Sequence, residues 1–111
     1  MAWELIVFGA ALAAVSIGCL LPAGWLPTLP NDKLLHFVAY GALTLLALPM
    51  VASWRQWILC LLGLLLAGAA IELLQNLVPG RSFCWRDLAA NAAGIAVAAV
   101  CALPAMSSIL L

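Results

Sequence analysis

Charge is what this chain has least of. Four Lys or Arg and four Asp or Glu make up 7% of its 111 residues, while 68% are apolar. Soluble domains run at about 25% charged and about 45–50% apolar, so a water-facing surface cannot be assembled from this composition. Net charge is zero, which removes the electrostatic basis for a nucleic-acid partner. The strict apolar/polar alternation of barrel strands is missing too, because the apolar runs are continuous. Cysteine occurs four times but never as C-x-x-C or at metal-ligand spacing. Cys19, Cys60, Cys84 and Cys101 therefore read as small apolar filler, and neither a metal nor a cofactor is indicated. The first apolar run lacks a basic leader and carries Glu4 instead, so "MAWELIVFGAALAAVSIGCL" reads as a retained helix and not as a signal peptide.

With lipid as the solvent, backbone groups must be paired within the chain, and continuous apolar runs meet that need as helices. Four segments reach the roughly twenty residues needed to cross the hydrocarbon layer: about residues 5–21, 34–53, 57–78 and 88–106. The expected fold is an all-α integral membrane bundle of four transmembrane helices, a single domain over residues 1–111. Trp3, Trp25, Trp54, Trp57 and Trp85 all fall at segment ends, where the headgroup layer favours an amphipathic ring. Between segments, "PAGWLPTLPNDK" reads as a Pro-rich extended connection, "WRQ" as a tight polar turn, and "PGRSFCWRD" as a loop opened by a Pro-Gly breaker. Ala90, Gly94 and Ala98 recur every four residues in the last segment. Such small side chains let backbones approach closely, which puts that helix in the middle of the bundle and offers a face for homo-oligomers.

The few polar residues are not scattered. Four spans place the first and third connections on one side, and these hold Asp32, Lys33, Arg81, Arg86 and Asp87. Asp32, His36 and Tyr40 are spaced by four and share a stripe of the second span. Glu72 and Gln75 share one on the third, and Asp87 and Asn91 one on the fourth. Tyr40 and Glu72 each lie six residues inside their spans, roughly 9 Å below the boundary, so they can meet. A carboxylate at that depth costs at least about 2.5 kcal/mol, so Glu72 is expected to face the bundle within direct or water-bridged reach of Tyr40, His36 or Gln75. Arg81, turned back by Pro79 and Gly80, is expected to pair with Glu72 or Asp87.

An anion suits this end of the bundle. The second and fourth helices begin there with free N–H groups and positive dipole ends, and Lys33, Arg81 and Arg86 add cations. Three plainer readings share the same residues: a buried polar network with no ligand, Asp32 and Asp87 as helix N-caps, and Arg86 reaching for lipid headgroups.

"NDKLLHFVAYGAL" followed by "IELLQNLVPGRSFCWRDLAANAAG" resembles the VanZ-like family of small membrane proteins. The elements D-K-x-x-H-F-x-x-Y, E-x-x-Q, P-G-R and D-x-x-x-N-x-x-G appear in order between Pro30 and Gly94. The resemblance implies that Asp32, Lys33, His36, Tyr40, Glu72, Gln75, Arg81, Asp87, Asn91 and Gly94 occupy family positions. It also implies a cell-envelope role linked to teicoplanin-type glycopeptide resistance, without a defined reaction.

Three functions fit. The first is binding of a membrane lipid, lipid-linked envelope precursor or glycopeptide-type antibiotic through Asp32, Lys33, Tyr40, Gln75, Arg81, Arg86, Asp87 and Asn91. The second is an intramembrane enzyme acting on a lipid phosphate or ester, with Glu72 or His36 as the catalytic acid or base; no nucleophile motif accompanies them. The third is a structural membrane subunit. If the motif-side cations serve the site, Arg55 and the N-terminal amine govern topology, placing the termini in the cytoplasm and the polar site outward.

Overall fold

The computed structural model describes residues 2–25 and 32–110, with the side chains of residues 2, 23, 109 and 110 not described. They form four long helices: α1 (Ala2–Leu20), α2 (Asp32–Ala47), α3 (Trp54–Leu74) and α4 (Trp85–Leu110). Each is long and apolar enough to cross a membrane. The longest dimension of the bundle, 48 Å, matches a bilayer with its headgroup layers, about 40–45 Å. The expected four-span architecture is the observed one, with boundaries shifted by a few residues.

Those shifts have local causes. Pro49 stops α2 early, and Leu48–Met50 tightens into a 3-10 turn, since proline has no N–H to continue the α-helical hydrogen bonds. "WRQ" is not a turn but the first turn of α3. Ser53 Oγ accepts from the Gln56 backbone amide at 3.1 Å, and the Ala52 backbone amide donates to Gln56 Oε1 at 2.7 Å, a variant of the capping box. Ala23–Trp25, expected to be extended, is a 3-10 turn; the rest of that Pro-rich connection, residues 26–31, lies outside the described residues. After α3 a 3-10 turn over Gln75–Leu77 leads into a turn closed by the Arg81 amide on Val78 O at 3.0 Å. Pro79 and Gly80 are its central residues, and Gly80 has φ 76°, the type II arrangement that requires glycine there.

The expected central position of α4 is not the observed one: α2 and α3 each touch the three other helices, whereas α4 lies across from α1 and packs on α3 and, far more closely, on α2. Gly94 is the reason: the Phe37 carbonyl of α2 occupies the space where a Cβ would stand. Gly94 and Ala98 are buried within the bundle, so the small-residue stripe is used inside one chain. Farther along, Ala47, Val51, Trp57, Ala102 and Met106 form an apolar cluster. Trp57 is 2% exposed, so it is a core residue of the opposite end and not an interfacial ring; Trp3, Trp25 and Trp85 are the well-exposed ones. All four cysteines are free thiols.

Candidate polar site at one end of the bundle

The starts of α2 and α4 bring five polar side chains together. Lys33 Nζ lies 3.0 Å from Asp32 Oδ2 and 2.7 Å from Asp87 Oδ1. The second contact is the shorter of the two ion pairs and ties α2 to α4. His36 sits one turn deeper on α2. Its Nδ1 is 3.0 Å from Asn91 Oδ1, and its Nε2 is 3.5 Å from Asp87 Oδ2. The orientation assigned to the Asn91 amide turns its oxygen to the ring and makes Nδ1 the donor. Asp87 is therefore not a helix cap: α4 begins two residues earlier, at Trp85, and the Asp87 carboxylate reaches across to α2.

Beneath this cluster lies a drier layer. Tyr40 and Glu72 are both 0% exposed. Gly68, one turn before Glu72 on α3, makes room for Tyr40 and Asn91: a Cβ there would stand 3.1 Å from Asn91 Nδ2 and 3.3 Å from Tyr40 Cε2. Neither oxygen of Glu72, nor the Tyr40 hydroxyl, is hydrogen-bonded to a protein group. The carboxylate lies toward the Cys84 amide without reaching hydrogen-bond geometry, within electrostatic range of Asp87, His36 and Lys33. No direct bond joins Glu72 to Tyr40, His36 or Gln75, because His36 is held by α4 and Gln75 is engaged elsewhere. Thr44, one turn beyond Tyr40, satisfies its own hydroxyl on the Tyr40 carbonyl at 2.8 Å.

That other engagement is the end of α1. Gln75 Nε2 donates to Cys19 O at 2.8 Å. Arg81 does fold back over the bundle, but its partners are not Glu72 or Asp87. Its Nε donates to Leu21 O at 3.0 Å and its Nη2 to Gly18 O at 2.9 Å. The last carbonyls of a helix lack intrahelical donors and carry its negative dipole end, so α1 presents a ready acceptor for a guanidinium, whereas Asp87 is already held by Lys33. Sequence reasoning missed this clamp, since backbone carbonyls carry no residue signature. Arg86 is exposed and has no ion-pair partner among the described residues.

Between α1 and α2 runs an open groove of about 260 Å³. Ala14, Val15, Leu35 and Ala39 give it an apolar body, and Asp32, His36 and Arg81 line its end toward the membrane face. Neither Glu72 nor Tyr40 borders it.

Four apolar helices with a polar cluster sunk into one end, beside a groove open to the side, define a multi-pass membrane protein whose polar residues converge at one face. The chain belongs to the VanZ/LLP1 family, whose model it matches over residues 3–107, from the start of α1 nearly to the end of α4. No curated protein and no solved structure matches it.

Proposed function

We propose that the chain binds a phosphate-ended amphiphile, with the acyl or prenyl chain lying between α1 and α2 and the head against His36, Lys33 and Arg81. The observation that carries this reading is the groove, which grades from Asp32, His36 and Arg81 at one end to Ala14 and Ala39 at the other, as a head and tail require. Arg81 has N–H groups beyond the two that hold α1, and a guanidinium grips phosphate through such pairs. The starts of α2 and α4 add positive dipole ends at the same level. A volume of about 260 Å³ lies below the usual range of ligand pockets, about 300–1,000 Å³. It suits one lipid chain lying along the helices. In this reading the termini are cytoplasmic and the site faces outward.

His36 favours one second reading, hydrolysis of the bound head group. It lines the groove with its ring oriented by Asn91 and Asp87, as a general base would be. Glu72, sealed away from the groove, has no access to such a substrate.

Binding of fluorescent phosphatidic acid, a polyprenyl phosphate and phosphatidylcholine to the full chain in nanodiscs tests the proposal. Both phosphate-ended probes should bind more tightly than phosphatidylcholine, and Ala39→Trp, which fills the groove, should abolish the difference. Equal binding of all three probes, indifferent to Ala39→Trp, would remove the basis for the proposal. Phosphate release from the bound probe, lost in His36→Ala, would select the second reading.

A further inference from the structure

Asp32, His36 and Asp87 each offer one ligand atom, and these atoms lie within 4.8 Å of one another. Their surroundings are those of a cation site and not only of an acidic cluster. His36 Nδ1 is held by the Asn91 oxygen at 3.0 Å, and Nε2, the other ring nitrogen, lies 3.5 Å from Asp87 Oδ2. This is the arrangement of a metal-binding histidine whose second ring nitrogen is held by a carbonyl-type oxygen. A second observation is independent of the first. Glu72, fully buried and without a hydrogen-bond partner, adds a third carboxylate within electrostatic range of the same groups. Only Lys33 stands against the three, since Arg81 is turned to α1. The Lys33 ammonium already occupies the cation position between Asp32 and Asp87, and its side chain is 39% exposed, so it can swing out to solvent.

We propose that Asp32, His36 and Asp87 form a divalent metal site for a borderline ion, zinc or manganese, bound in exchange for the Lys33 ammonium. One imidazole and two carboxylates suit that class better than calcium or magnesium, which take oxygen ligands, or copper(I), which prefers sulfur. Three protein ligands leave coordination positions free. Asp32 and His36 also line the groove, so those positions open toward it and would let an anionic head complete the shell. Without the metal, an incoming phosphate meets two aspartates alongside Lys33; with it, both aspartate charges are neutralised and the ion itself offers the phosphate a cation. Asn91 is then a positioning residue, and Glu72 a deeper charge that favours the cation. The cation site stands whether or not the groove takes an amphiphile.

The test is zinc or manganese alone titrated calorimetrically into chelator-treated, full-length protein in detergent, with no lipid probe present. One saturable site is expected. His36→Ala and Asp87→Asn should each weaken it about 100-fold or abolish it, and Asn91→Leu should weaken it about 10–100-fold. Lys33→Met should tighten metal binding at least about tenfold by removing a like charge a few ångströms away, the opposite of its expected effect on binding of a phosphate head. Should His36→Ala unfold, Lys33→Met still decides. No binding by the wild type or by Lys33→Met would overturn the proposal and leave a Lys–Asp–His ion-pair network. Binding unaffected by His36→Ala and Asp87→Asn would also overturn it, placing the metal elsewhere. Either failure leaves the nanodisc comparison of phosphate-ended and zwitterionic lipids unaffected.

Discussion

Substituting Gly94 by alanine should separate α2 from α4 and dismantle the polar site without touching a polar residue. The new Cβ would penetrate the Phe37 carbonyl oxygen and stand 3.0 Å from the Phe37 carbonyl carbon and 3.1 Å from the Gly41 nitrogen. These are backbone atoms, so no flexible side chain can yield. Since comfortable heavy-atom contacts lie at about 3.5–4.0 Å, the helices must part locally by about 1 Å. A hydrogen bond lengthened by that much is lost, and the His36–Asn91 contact, now 3.0 Å, sits less than one turn from the crossing on each helix. Overpacking alone costs about 1–3 kcal/mol, against a gain of up to about 1 kcal/mol for replacing a helical glycine. Gly63 supplies the control, for nothing lies within 4 Å of its would-be Cβ; there only the favourable contribution remains. The propensity gain is common to both, so the two variants should differ by the overpacking cost of about 1–3 kcal/mol, on the order of 10 °C in melting temperature, with Gly94→Ala the lower. Thermal unfolding in detergent followed by size-exclusion fluorescence measures this. Equal melting temperatures for Gly94→Ala and Gly63→Ala would refute the close approach that underlies the whole site.

Arg81→Lys keeps the charge but not the fork that spans Gly18 O and Leu21 O; it should lower stability by about 1–3 kcal/mol, the value of a lost charged hydrogen bond, and loosen α1, while Arg55→Lys changes neither. Matching melting temperatures and equal protease sensitivity of the connection after α1 would contradict it. Glu72→Gln removes a buried carboxylate that no protein group hydrogen-bonds and should leave metal-free stability unchanged or higher, since an uncompensated buried charge is costly; a fall of several degrees would mean the carboxylate is paired. Cys84, half-buried at the site end, should react with a membrane-impermeant maleimide in intact cells if the site faces outward. Reaction only with a permeant reagent would reverse the orientation.

Composition alone settled the solvent and the class of fold, because a chain with so little charge has no stable option but lipid, and lipid admits continuous apolar runs only as helices. The four-residue spacing within "DKLLHFVAY" and "DLAAN" likewise placed Asp32, His36 and Tyr40, and Asp87 and Asn91, on shared helix faces at one end. Periodicity carries no information about which faces meet. Packing decided that Lys33 and His36 serve Asp87, that Glu72 is fully buried, and that Asp32, His36 and Asp87 come within 4.8 Å of one another from two helices. Arg81 shows the limit most clearly: its turn residues announced a side chain folded back over the bundle, but its partners are the carbonyls of Gly18 in the last turn of α1 and of Leu21 just after it. A carbonyl belongs to every residue alike, and only the position of a helix end in three dimensions tells which ones are left without a donor.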